Sequence, residues 1–284
     1  EIMSRYKDVT LAADIMKLNS IPFLVSISCS IKFRTADMLH CQKGSAILAA
    51  IKQIKGVYMR RGFNITNVLM DGQFEPLRGE LATLGMNLNT VSCGEQVPEI
   101  ELYMRTLKEQ TQCIYNTLPF TRLPGRLIIE MVYASVFWLN LFPPADGVSA
   151  TLSPRSLVTG FQLDYNKHCR LEFGTDVQTH EEHDNSMATR TTGAIALRPT
   201  GNAQGGHYFF SLNTGRRLNR NRWTELPMPN EVIDHVHAMA RRNNAPNGLT
   251  FADCDGTPEV TVDDDVDSND SSQASDDAND GYDA

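Results

Sequence analysis

Apolar and polar positions follow two different rhythms along the first half of the chain. Short apolar runs at Val9–Met16, Ile21–Ile31 and, more weakly, Lys32–Leu39 are rich in β-branched and aromatic residues. They predict three strands, with Asn19 and Ser20 turning the first into the second. The period then lengthens. Ile47, Leu48, Ile51, Ile54 and Tyr58 recur at helical spacing, which predicts a helix from about Ser45 to Arg61, stopped by Gly62. A strand follows at Ile65–Met70, closing on Asp71, then a short helix at Pro76–Leu84 ending at Gly85, and a strand at Met86–Val91. Two further helices are expected at Pro98–Tyr115 and Arg126–Leu141, the second closed by Pro143-Pro144.

Three strands, helix, strand, short helix, strand and two helices is the element order of the ribonuclease-H-like fold. The fold class is therefore α/β, with a mixed five-stranded sheet in residues 1–145. A stretch punctuated by Gly and Pro forms a linker over 146–168. Short strands at Cys169–Thr179, Thr192–Leu197 and His207–Trp223, with glycines between them, suit a small SH3-like β-barrel over 169–228. A helix is expected within 229–250, at Asn230–Arg242, with Asn230 as N-cap and Glu231 in the first turn. Residues 251–284 are rich in Asp and Ser and poor in apolar residues, the composition of a disordered acidic tail.

Composition refines this division. At 284 residues and 41% hydrophobic, the chain can build one large or two modest domains with a sizeable core. It begins at Glu1, as a piece of a longer polypeptide would, and has no leader of signal-peptide type. The longest apolar stretch, Leu127–Phe142, is interrupted by Glu130 and Asn140 and falls short of the roughly 20 residues a membrane span needs. Six cysteines at 29, 41, 93, 113, 169 and 254 lack zinc-site spacing and read as reduced thiols of an intracellular protein. The net charge of −8 conceals an asymmetry. Twelve acidic residues and no Lys or Arg lie beyond residue 250, which leaves the remainder at +4. That balance permits a nucleic-acid partner.

Candidate chemistry centres on three carboxylates. Asp14 lies within the first predicted strand, Asp71 at the end of the fourth, and Glu101 near the start of a later helix. These are the three elements that bring carboxylates together in a ribonuclease-H-like site. A carboxylate among apolar residues needs a partner, and a hard divalent cation prefers oxygen ligands. The plainer roles are a turn cap for Asp71 and a favourable helix dipole contact for Glu101. Glu99, two residues earlier, is the rival third ligand and faces elsewhere on the helix. Lys108 shares a helix face with Glu101 and could reach phosphate; Arg105 could do so or pair with Glu101. Arg216, Arg217, Arg220 and Arg222, beside Trp223, form the densest basic run and suit a nucleic-acid backbone. His180-Glu181-Glu182-His183-Asp184 lacks the four-residue histidine spacing of a zinc helix and reads as a solvated loop. His235 and His237 read as surface residues of the final helix.

Three stretches carry a family resemblance. Val97–Glu109 (VPEIELYMRTLKE), Val68–Phe74 (VLMDGQF) and Tyr208–Trp223 (YFFSLNTGRRLNRNRW) are similar to segments of the integrase of Ty1/copia-type retrotransposon polyproteins. They match its catalytic-glutamate helix, its second-aspartate segment and the Thr-Gly-basic hairpin beyond its core. The interval from Asp71 to Glu101 is shorter than is usual in that family, and Gly72-Gln73 stands in place of Asn-Gly-Gly. The resemblance implies an integrase core in which Asp14, Asp71 and Glu101 hold two Mg²⁺ (or Mn²⁺) ions for transfer of DNA ends into target DNA. It also implies a homo-oligomer acting in the nucleus. A ribonuclease-H-like nuclease and a non-catalytic nucleic-acid-binding remnant are the alternatives.

Overall fold

The computed structural model describes residues 2–91, 97–181, 187 and 189–252. A one-turn helix, α1 (Ile2–Arg5), precedes β1 (Asp8–Leu18), β2 (Ile21–Ser28) and β3 (Arg34–Met38). Next come α2 (Gly44–Met59), β4 (Asn64–Asp71), a 3-10 turn (Gly72–Leu77), α3 (Arg78–Thr83) and β5 (Asn87–Val91). The helices α4 (Pro98–Thr117) and α5 (Gly125–Leu139) complete the first half. The strand order is β3-β2-β1-β4-β5, antiparallel through β1, β2 and β3 and parallel from β1 to β4 to β5. This mixed five-stranded sheet is consistent with the ribonuclease-H-like core expected from the sequence.

Alternation along β1 explains the layering. Leu11, Ala13 and Ile15 face one side and pack with Ile47, Ile51 and Ile54 of α2. Ala12 and Met16 face the other and pack with Ile100, Tyr103 and Leu107 of α4 and with Leu127, Met131 and Val132 of α5. Successive strand side chains point to opposite faces, so one strand serves two cores. The β1–β2 turn uses left-handed backbone at both Asn19 and Ser20 (φ 47° and 65°). That is the geometry of a two-residue hairpin matched to strand twist.

The second half differs from expectation in detail. The 146–168 stretch contains two short helices, α6 (Pro154–Thr159) and α7 (Tyr165–His168). Each is capped by a side chain, Ser153 accepting from the Ser156 amide and Asp164 from the Asn166 amide. Of the 169–179 span, only its end becomes strand, in β6 (Asp176–His180). With β7 (Thr191–Pro199), β8 (His207–Ser211), β9 (Arg217–Arg220) and β10 (Trp223–Glu225) it forms an antiparallel sheet of order β10-β6-β7-β8-β9. One face, with Val177, Ala196 and Phe209, covers a small core of its own. The other, with Ile195, Leu197 and Phe210, joins the core beneath α5.

Helix α8 (Asn230–Arg242) has the expected span, but Pro229 occupies the cap and Asn230 is its first helical residue. His235 and His237 do more than face solvent. His235 Nε2 lies 2.8 Å from the Leu212 carbonyl and His237 Nε2 accepts from the Thr121 amide at 3.1 Å, so they tie α8 to both halves. Phe251 and Ala252, assigned to the tail from sequence, instead form β11 and pair antiparallel with Leu18 and Lys17 of β1. The rest of the acidic tail lies outside the described residues. No helix among them is long and apolar enough to cross a membrane.

Candidate functional site

The parallel pairing of β1 and β4 brings the two aspartates level. Ala12 stands opposite Leu69, and two residues farther along each strand are Asp14 and Asp71. Partners on parallel strands point to the same side. Asp14 thus shares the α4 side of the sheet with Ala12 and Met16, and Asp71 shares it with Leu69. Asp14 is half-buried and Asp71 exposed. Both accept a local amide hydrogen bond: Asp14 Oδ1 from the Ile15 amide at 2.7 Å, and Asp71 Oδ1 from the Gly72 amide at 2.6 Å. The second contact caps the 3-10 turn and explains why β4 stops at Asp71.

Glu101 arrives from above on α4, which packs across β1 and β2. The buried stripe of α4 runs through Ile100, Tyr103, Leu107 and Thr111. At 100° per residue, Glu99 and Glu101 fall on opposite flanks of that stripe. Two observations orient the flanks. Burial raises the pKa of the Cys29 thiol, at the end of β2, and the charge of Glu99 raises it further. Tyr103 reaches β3, its hydroxyl donating to the Thr35 carbonyl at 2.9 Å. Glu99 therefore lies on the β2–β3 flank, and Glu101 on the flank toward β1 and β4, where the aspartates are. Arg105 and Lys108 share the Glu101 flank; Arg105 is exposed and Lys108 half-buried.

The donor types suit a hard divalent cation. Among the described residues, however, no three His, Cys, Asp or Glu side chains stand close enough to hold one. The strand register thus brings Asp14 and Asp71 level on one face of the sheet, while among the described residues no three such side chains form a ready-made metal cage. Residues 92–96, which connect β5 to α4, lie outside the described residues.

The basic run divides in two. Arg217 Nη1 donates to Glu130 Oε1 at 3.0 Å, and Arg220 forms a two-pronged contact with Glu181. Both carry structural ion pairs. Arg216 and Arg222 are exposed. The Trp223 ring is flanked by His207 and Phe209 at 4.7 and 5.6 Å between centroids, with the Arg170 guanidinium 5.3 Å above it. Protein groups thus already surround the aromatic ring beside the basic run. Beside this sheet opens a polar cleft of roughly 660 Å³, lined among others by His180, Glu181, Asn202, Asn219, Arg220 and Asn221. Glu182, His183 and Asp184 lie outside the described residues. Of the cysteines within them, Cys29 is half-buried and Cys41, Cys113 and Cys169 are exposed, all as free thiols.

Sequence reasoning missed Glu130. It sits in the apolar helix α5 with no solvent exposure, 3.4 Å from Arg198 Nε and 3.9 Å from Arg126 Nη1 in addition to Arg217. The Arg198 guanidinium lies between the rings of Tyr133 and Tyr208, 5.5 and 4.7 Å from their centroids. This cluster fastens the second sheet to the first core. A lone Glu in an otherwise apolar helical run was the available signal.

Comparison with protein-family models gives no match, and comparison with curated proteins gives none. Among solved structures, the chain is similar to a crystal structure of the catalytic core domain of BIV integrase. The TM-score is 0.38 at 14% identity, covering 53% of this chain and 93% of that one. A likeness of that size leaves the role of every residue to the chain's own geometry.

Proposed function

We propose that this protein is an integrase-like polynucleotidyl transferase of the Ty1/copia retrotransposon type, acting on DNA through Asp14, Asp71 and Glu101. The observation that carries the reading is the β1–β4 register, which sets Asp14 level with Asp71 on the side of the sheet that α4 covers. Glu101, on the flank of α4 turned toward them, is the third member, in preference to Glu99.

In this reading Asp14, Asp71 and Glu101 use their carboxylates to hold Mg²⁺ or Mn²⁺. The chemistry such ions supply is activation of the attacking oxygen and stabilisation of the leaving oxygen at phosphorus. Arg105 and Lys108 on the same flank neutralise phosphate charge, and Arg216 and Arg222 extend that contact along the second sheet, which we take to be SH3-like. The partners are element ends and target DNA, the acting form is a homo-oligomer, and the site of action is the nucleus.

A second reading, a nucleic-acid-binding remnant that has lost catalysis, is favoured by the lack of a three-carboxylate group among the described side chains. Mg²⁺-dependent joining of a labelled DNA end to a plasmid separates the two. The first reading expects joining by the wild type, loss in Asp71→Asn, and retention in Glu99→Gln. Joining that survives Asp71→Asn sinks it. DNA binding without any joining, in Mg²⁺ and in Mn²⁺, selects the second.

A further inference from the structure

We propose that an open cleft where α1, the end of α2 and α6 meet is a docking site for an acidic peptide segment of a partner protein, anchored by an apolar side chain. The cleft has a volume of roughly 590 Å³, and Ile2, Met3, Leu152, Leu157, Gly160 and Arg61 are among the residues that line it. The first four pack on the same core as Ile47, Ile51 and Ile54 of α2, which holds the floor in place from below. Gly160 ends α6 in the left-handed region (φ 78°), and a side chain there would come within 3.1 Å of the Arg61 guanidinium. Arg61 therefore lies directly against Gly160 and forms part of the wall. Phe161, between the lining residues Gly160 and Gln162, is 68% exposed. An aliphatic floor beside an exposed ring leaves apolar surface in water that an apolar side chain would cover.

Charge selects the occupant. Arg60 and Arg61 follow the last turn of α2. The Asn64 amide donates to the Lys7 carbonyl at 2.8 Å, and Asp8 pairs with Asn64, which brings Lys7 and Arg5 to the same corner of the molecule. Arg5, Lys7, Arg60 and Arg61 are all exposed. Among the described residues their side chains make no hydrogen bond or ion pair, although the Arg5 guanidinium lies 5.5 Å from the Tyr6 ring centroid. Two acids are near in sequence: Asp8, which is exposed, and Asp164, which is held by Lys167 at 3.4 Å. An incoming carboxylate displaces no existing partner from these four cations, so complementary charge steers an anion to the rim. Nucleic acid would satisfy the rim, but a floor of Ile, Met and Leu offers bases neither a stacking ring nor a polar partner. A peptide satisfies both parts: its carboxylates meet the rim and a Leu or Phe enters the cleft, as an apolar anchor inside a polar ring. The corner also lies away from the candidate carboxylates. It adjoins Asp8 and Asn64, at the start of β1 and β4, whereas Asp14 and Asp71 come six and seven residues later, roughly 20 Å along the strands. A partner docked there leaves those carboxylates open, and the docking does not depend on the chemistry proposed for them.

Fluorescence anisotropy with the full chain at low salt tests it. A labelled peptide carrying Phe-Leu between two runs of four acidic residues should bind, and Ser-Ser in place of Phe-Leu should weaken it at least about tenfold. Arg60→Glu/Arg61→Glu should weaken it by a similar factor, with the gap narrowing as salt rises, whereas Lys43→Glu/Lys52→Glu, the same charge change at exposed positions nearer the start of α2, should leave it within about twofold. Gln162→Trp fills the cleft from an exposed position without altering charge. It should weaken the Phe-Leu peptide about tenfold at an unchanged urea midpoint. Failure of the Phe-Leu peptide to bind at about millimolar concentration overturns the docking. So does equal binding of the Ser-Ser peptide, or full binding by Gln162→Trp. A short DNA duplex that displaces the peptide, is lost in Arg60→Glu/Arg61→Glu and is untouched by Gln162→Trp would make the corner a nucleic-acid surface and overturn the proposal as well.

Discussion

Replacing Glu130 by Ala should be among the most destabilising single changes in the molecule. Its carboxylate has no solvent exposure and meets Arg217 at 3.0 Å, Arg198 at 3.4 Å and Arg126 at 3.9 Å. The three cations do not lose equally. Arg126 and Arg217 retain 43% and 38% side-chain exposure and can turn to water, whereas Arg198 retains 16%. Burial already lowers the Arg198 pKa, and Glu130 opposes that shift. Removing one partner of a buried pair costs about 3–5 kcal/mol, because it strands the other charge. Against a typical total of about 5–15 kcal/mol this is a large fraction. Urea unfolding followed by tryptophan fluorescence suits the test, since Trp138 lies on α5 and Trp223 on β10. The double variant Glu130→Ala/Arg198→Met should recover much of the loss, as buried ion pairs are often replaceable by apolar groups. A loss below about 1 kcal/mol, or no recovery in the double variant, would refute the view that this cluster holds the two sheets together.

Three further outcomes are expected. Burial pushes the Asp37 pKa up to about 6, so the folded state holds its proton more tightly than the unfolded chain does. Its effect on stability is least harmful below pH 4 and worsens as pH rises to about 6; Asp37→Asn should flatten that fall and add on the order of 2 kcal/mol above pH 6, read from urea midpoints against pH. Asn19→Gly keeps the left-handed turn and deletes the two side-chain bonds to Gly248 and Thr250, just before β11; it should cost about 1–2 kcal/mol and speed hydrogen exchange at Thr250. Arg216→Ala and Arg222→Ala should each weaken duplex binding and reduce its salt slope by about one without altering the urea midpoint, whereas Arg217→Ala should lower the midpoint.

The legible parts of the chain were those in which local pattern and burial coincide. Alternation through Leu11, Ala12, Ala13, Ile15 and Met16 marks a strand buried on both faces, and Ile47, Ile51 and Ile54 mark the helix that covers one of them. Asp14 and Asp71 could be placed on their strands for the same reason. Their mutual level depends on strand register, which no local pattern states. The use of Arg217 was hidden because its partner, Glu130, lies 87 residues away. Strand β11 escaped notice because two residues, Phe251 and Ala252, give too short a run to read as a strand, and the residues that hold the chain leading into it, Asn19 by its bonds to Gly248 and Thr250 and Thr121 by its carbonyl to the Gly248 amide, are remote in sequence. Pro229 displaced Asn230 from the cap because its extended backbone leads into the helix without needing a side-chain acceptor.

The central claim is that Asp14, Asp71 and Glu101 form one site, and a Mn²⁺-soaked crystal examined by anomalous scattering tests it most directly. The account predicts a peak within about 2.5 Å of carboxylate oxygens from both Asp14 and Asp71, with Glu101 turned toward it and Glu99 turned away, and loss of the peak in Asp71→Asn. A peak at some other carboxylate group, or none at saturating Mn²⁺ with a bound DNA end, would contradict it.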